Sequence, residues 1–191
     1  MSMNKKEFRK IQIQKLQKLS KTWGKKLDEL NLYKELFKTT EWEKADNVAI
    51  TLSEDFELDT FPIISTARQQ NKKVLVPKTL PNRMMEFVEL TPDVKIVRTK
   101  FGVLEPESEN YVNKENIDLI IVPGLAFAEN GARLGFGGGF YDKYLSDYRG
   151  NKVALVDRSR YFREPQWNVD SFDIYITNQI RIKRCGLCCN I

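Results

Sequence analysis

The chain has 191 residues, 41% of them hydrophobic and 30% charged, and its 31 Lys and Arg against 26 Asp and Glu give a formal net charge of +5. That composition suits one globular domain with a sizeable core, and no apolar run approaches the roughly 20 residues that span a bilayer, so a cytoplasmic protein with no membrane partner is expected. There is no histidine, which excludes Ser and Cys triads, histidine general bases, two-histidine zinc motifs and proximal haem ligation; carboxylates, lysines, arginines, backbone amides or a cofactor must carry any chemistry.

The first forty residues are rich in lysine and place Phe8, Ile11, Leu16, Leu19 and Trp23, then Leu27, Leu30 and Phe37, at nearly helical spacing. This predicts two amphipathic helices. Short β-branched runs bounded by turn residues follow at 47–53, 72–77, 84–90, 118–124, 152–157 and 173–178, and each predicts a strand. Between the first two, Asp59 or Thr60 can cap a helix with Pro62 in its first turn. Another helix is expected over 139–148, after a glycine-rich stretch. Near-continuous apolar strands alternating with helices predict a three-layer α/β/α fold, with a mostly parallel central sheet and the N-terminal helices packed alongside.

One domain is expected over residues 1–184, with 185–191 a flexible tail that holds all three cysteines, Cys185, Cys188 and Cys189. An odd number of thiols and no histidine argue against a zinc site. The basic residues are interleaved with acids rather than gathered in a block, so no nucleic-acid partner is expected, and a monomer acting on small molecules is the expected state.

The stretch GARLGFGGGFYDKYLS, residues 131–146, follows the apolar run DLIIVPGLAF. Gly139 is followed by Phe140, so the Lys-Ser/Thr pair of a P-loop is missing, and the G-x-G-x-x-G spacing of a dinucleotide fingerprint fails as well. Two readings remain. Backbone amides, a helix start and Arg133 can form a nest for a nucleotide phosphate, or the glycines can simply permit a sharp, closely packed connection. Asp142 can favour the positive end of the helix or hold Mg²⁺ beside bound phosphate, and Phe140 and Tyr141 can stack on a flat ring or anchor the helix.

The run PGLAFAENGARLGFGGGFYDKYL closely resembles the signature P-G-x-x-F-x-x-x-G-x-R-L-G-x-G-x-G-Y-Y-D of the 5-formyltetrahydrofolate cyclo-ligases, also called methenyltetrahydrofolate synthetases. The resemblance extends to Lys5 and Arg9 spaced four apart, to LSEDFELDT after the first strand, to VLVPKT, to FGVLEP and to a closing D-x-x-I-T segment. It implies an enzyme that converts 5-formyltetrahydrofolate to 5,10-methenyltetrahydrofolate with MgATP, releasing ADP and phosphate through an iminium phosphate intermediate. Phosphoryl transfer of this kind depends on positioning and charge neutralisation, which suits a chain without histidine.

By the same resemblance, Lys5 and Arg133 assist catalysis, and Lys5, Lys6, Glu7, Phe8 and Arg9 bind ATP from the first helix. The rest of the ATP site is Arg133, Leu134, Gly135 and Phe136 with Gly137, Gly138, Gly139, Phe140 and Tyr141. Leu52 and Glu57 contact the folate, which also borders Gly137 to Phe140, and Asp142 and Asp170 hold Mg²⁺, with Asp173 only three residues from the latter. Phe136, Gly138 and Phe140 depart from the residues common in the family, as does the segment 157–170. Two other readings accompany this one: a non-catalytic nucleotide-binding or RNA-associated protein, and a sugar-phosphate isomerase or CoA-transferase-like enzyme on a similar scaffold.

Overall fold

A computed structural model describes residues 3–99 and 102–182; the cysteine tail lies outside the described residues. Helix α1 (Lys5–Leu19) is capped by Asn4, whose side chain accepts the Lys6 N–H at 2.8 Å, and α2 (Trp23–Leu36) by Thr22. A short α3 (Thr40–Lys44), which the periodicity does not reveal, swings Trp42 into the core. The chain continues through β1 (Asn47–Ala49), α4 (Phe61–Gln69) with Pro62 in its first turn, β2 (Lys73–Leu80) and β3 (Met84–Glu89). Next come β4 (Ile96–Arg98), β5 (Leu104–Pro106), β6 (Tyr111–Val112), β7 (Leu119–Ile121), β8 (Ala126–Ala128) and β9 (Arg133–Leu134). Helix α5 (Phe140–Leu145), β10 (Asn151–Val156), β11 (Tyr161–Phe162) and β12 (Gln179–Arg181) complete the described chain.

Seven strands form the main sheet in the order β12-β10-β7-β1-β2-β3-β6. The first five run parallel, and β3 and β6 extend the sheet antiparallel. Alternation along each strand sends Val48, Val74, Leu119 and Val153 to one face, against α2, α3 and α4, and Ala49, Leu75, Ile120 and Ala154 to the other, against α5 and Phe127. Helix α1 packs through Phe8 and Leu16 on the small β11-β8-β9 sheet and Trp167. Among the described residues, no helix is long and apolar enough to cross a membrane.

Three expectations need correction. Helix α2 exists, but it turns Leu32, Tyr33 and Leu36 inward with Asp28 and Glu29, leaving Leu27 and Leu30 exposed. The two acids are held by polar partners: Glu29 pairs with Lys25 and accepts the Asp59 N–H at 3.0 Å, and Asp28 pairs with Arg158 at 3.1 Å. Residues 173–178 form no strand. Their backbone is drawn into loop contacts instead, Ile174 N–H donating to the Asp142 carboxylate and Ile176 N–H to the Gly131 carbonyl, and regular pairing begins only at β12. The helix expected over 139–148 is only the six residues of α5, because Tyr148 leaves the helix to pack in the core with its hydroxyl on the Ile117 carbonyl.

Candidate active site

Parallel strands direct their carboxyl ends to one edge of the sheet, and ligands gather in the crevices there. After β7 the chain turns at Pro123–Gly124, and the β8–β9 hairpin brings Arg133 back beneath that turn. The guanidinium is buried; its Nη1 donates to the Pro123 carbonyl at 3.0 Å and its Nη2 to Asp142 Oδ1 at 2.8 Å, while Nε has no hydrogen-bond partner among the described residues. A Cβ on Gly135 would stand 2.8 Å from Nη1, so the glycine makes room for the cation. Gly139 then enters α5 with a left-handed backbone, φ 73°.

Helix α1 brings two more cations from the far end of the chain. Arg9 Nε donates to the Gly135 carbonyl at 2.9 Å, and its guanidinium lies against Gly137, where a Cβ would approach Cζ to 3.3 Å. One turn earlier, Lys5 Nζ binds Asp170 at 2.6 Å and both oxygens of Asp173 at 2.6 and 2.7 Å. Burial works against the Lys5 ammonium, but these two carboxylates outweigh it and lift its pKa above the ordinary lysine value. Burial lowers the Arg9 pKa, and the nearby Asp173 and Asp142 oppose that shift. One helix face thus sends Arg9 to the loop and Lys5 to the Asp170–Asp173 pair. Lys6 and Glu7 stay exposed, and the Phe8 ring is committed to Phe162 and Trp167 at 5.5 Å.

Three carboxylates surround these cations. Asp142 uses Oδ1 both for Arg133 and for the Ile174 N–H at 3.2 Å. The Asp173 side chain is 8% exposed and accepts the Asp170 N–H at 2.8 Å, whereas the Asp170 side chain is 46% exposed. Among the described residues no three His, Cys, Asp or Glu side chains form a metal cluster. Mg²⁺, however, takes one or two carboxylates with phosphate oxygens and water, and Asp142 with an acid of the Asp170–Asp173 pair suits that donor chemistry.

Beside the loop, at the ends of β1, β7 and β10, a pocket is walled by Ile50, Leu58, Ile121 and Phe136 with Glu57 and Arg160. Burial raises the Glu57 pKa, the Glu54 N–H bonded to its carboxylate at 2.9 Å opposes this, and so does Arg160. Leu52 lies half-buried against the core rather than in the pocket wall. Phe136, expected on the nucleotide side of the loop, shares the wall with Glu57 and is 45% exposed there. Arg160 escapes sequence reasoning: it is buried in an ion pair with Asp157 and donates to the Phe56 carbonyl at 2.7 Å. The Asp-x-x-Arg spacing, within the segment that departs from the family, was the available signal.

The sequence model of the 5-formyltetrahydrofolate cyclo-ligase family matches residues 1–163. The chain belongs to this family. Among its relatives, the 5-formyltetrahydrofolate cyclo-ligase of Haemophilus influenzae is 30% identical over 146 residues, 71% of this chain and 78% of the relative. A probable 5-formyltetrahydrofolate cyclo-ligase of Schizosaccharomyces pombe is 30% identical over 174 residues, 85% of this chain and 82% of the relative. The solved structure of Aquifex aeolicus 5,10-methenyltetrahydrofolate synthetase superposes with a TM-score of 0.78 at 29% identity, covering 94% of this cyclo-ligase family chain and 90% of its own.

Proposed function

We propose that the chain is a 5-formyltetrahydrofolate cyclo-ligase, forming 5,10-methenyltetrahydrofolate from 5-formyltetrahydrofolate as ATP is converted to ADP and phosphate in the presence of Mg²⁺. The observation that carries this reading is the meeting of Arg9 and Arg133 at one glycine loop, with Lys5 one helical turn away on Asp170 and Asp173, beside an apolar pocket that holds the half-buried Glu57 carboxyl. The family match and relatives named for the activity support it.

In this reading the ATP polyphosphate lies along the loop from Gly135 to Tyr141, where missing side chains open the backbone amides and Arg9 and Lys5 offset charge. Asp142 and one of Asp170 and Asp173 would hold Mg²⁺, which would supply further charge neutralisation when bound. The folate ring enters the pocket beside Phe136, with Glu57 accepting hydrogen bonds from its amino and ring N–H groups. The formyl oxygen attacks the γ-phosphorus and ADP leaves. The neighbouring folate nitrogen then closes on the formyl carbon of the iminium phosphate, losing its proton as the C–O bond breaks and phosphate departs. Arg133, fixed by Pro123 and Asp142, stabilises the charge that develops, and the pocket wall holds the two reacting centres together.

The test is ultraviolet absorbance of 5-formyltetrahydrofolate with enzyme, Mg²⁺ and ATP, beside a cuvette lacking ATP. The methenyl band should grow only with ATP. A folded protein that binds ATP but yields no band overturns the reading.

A further inference from the structure

We propose that Arg83, on the turn between β2 and β3, is a further contact to the nucleotide phosphates, at the same glycine loop that Arg9 meets. The inference rests on the cyclo-ligase reading and adds a residue that lies outside the signature motif.

Asn82 and Arg83 both have left-handed backbones, at φ 60° and 57°. Asparagine tolerates that region, but a long β-substituted side chain such as arginine is disfavoured there, and glycine is not. The turn is held against the loop's helix, because Lys143 on α5 donates to the Asn82 carbonyl at 3.0 Å. From this anchored position the Arg83 side chain runs past the loop, its Cδ 3.9 Å and Nη1 4.0 Å from where a Cβ on Gly139 would stand. Arg9 meets the same loop two residues earlier, at Gly137.

The cations around the loop differ in what they already hold. Lys5 is paired with Asp170 and Asp173, Arg133 with Asp142, and Arg9 is bonded to the Gly135 carbonyl. The exposed Arg83 guanidinium has neither a hydrogen bond nor an ion pair among the described residues. Like Arg9, which is bonded through Nε and holds no ion pair among the described residues, it can take an anion without breaking an existing pair. Of the proposed substrates, the polyphosphate carries several negative charges along its length, and so can meet Arg9 and Arg83 together where they border Gly137 and Gly139.

The test titrates full-length wild type, Arg83→Gln, Arg83→Lys and Arg83→Gly with a fluorescent ATP analogue and Mg²⁺, without folate, and measures KM for ATP and for 5-formyltetrahydrofolate separately. Arg83→Gln should weaken nucleotide binding about tenfold with the folate KM within about twofold, and Arg83→Lys should recover part of the loss. Arg83→Gly should weaken nucleotide binding as much as Arg83→Gln while keeping or raising Tm, because glycine accepts the left-handed backbone that arginine resists. A loss of stability in that variant would mean that the side chain is kept for packing, and would overturn the inference. So would unchanged nucleotide affinity in Arg83→Gln, or an effect confined to the folate KM. If wild type yields no methenyl band but its nucleotide affinity still falls with Arg83→Gln, the phosphate contact stands and the cyclo-ligase reading fails. If wild type forms the methenyl band and Arg83→Gln binds the nucleotide as tightly as wild type, Arg83 alone is overturned.

Discussion

Cutting one side of the Arg133–Asp142 pair should do different things depending on which side is cut. Arg133 is buried and supports the Pro123 turn as well as Asp142, so Arg133→Ala is expected to lower kcat by about a hundredfold or more and to lower Tm. Asp142→Asn keeps an acceptor for Arg133 and the same shape but removes its counter-charge; it should lower Tm less than Arg133→Ala does and leave the folate KM nearly unchanged, while raising the Mg²⁺ concentration for half-maximal rate by about tenfold or more. Wild-type Mg²⁺ dependence in that variant would remove Asp142 from the metal site. Glu57 makes a different prediction. Its pKa is raised by burial, so its contribution to stability is full below the unfolded value and is lost as pH rises through the folded one. Glu57→Gln should therefore unfold at a higher temperature than wild type at pH 7 to 8, with the gap closing as pH falls toward about 4, while its folate KM rises about tenfold. A variant less stable than wild type at neutral pH would contradict the burial argument.

Within elements, two glycines with opposite surroundings should respond oppositely to the same change. Gly137 has φ 106°, and an added Cβ would press within 3.3 Å of the Arg9 guanidinium. Gly137→Ala is expected to destabilise by about 1 kcal/mol and to weaken ATP binding, since both the backbone and the cation must shift. Gly24 lies in the first turn of α2 with nothing within 4 Å of an added Cβ. Gly24→Ala should raise stability by up to about 1 kcal/mol through reduced unfolded-state entropy and leave turnover unchanged. Thermal melts of the two variants, run with and without ATP, separate local backbone cost from ligand contact.

For the molecule as a whole, the site joins the first helix to the end of the chain. Lys5 and Asp173 are 168 positions apart, and Met3 pairs with Trp167 in an isolated bridge beside them. A ligand bound across this closure binds the folded chain and not the unfolded one. ATP with Mg²⁺ at about 100 times Kd should add about 2.7 kcal/mol, which is a rise in Tm of roughly 5–10 °C for a chain of this size. Calorimetry with and without MgATP checks this; no shift under conditions where the nucleotide binds would mean that its site does not depend on the folded chain.

The local signals were legible from the sequence alone. Two helices, the parallel strands, the start and first-turn proline of α4 and the glycine loop follow from spacing, residue type and backbone freedom, all of which act over a few positions. The missing histidine and the long signature narrowed the chemistry in the same way. What the chain could not disclose by itself depends on side chains that meet across long separations. The pairing of Lys5 with Asp170 and Asp173, the placing of Phe136 in the pocket with Glu57, the buried Asp157–Arg160 pair and the approach of Arg83 to Gly139 all have this origin. The exposed stripe on α2 and the irregular 173–178 segment have it too: an apolar pattern states what a segment can bury, but the tertiary structure decides which face is covered and whose polar groups claim its backbone.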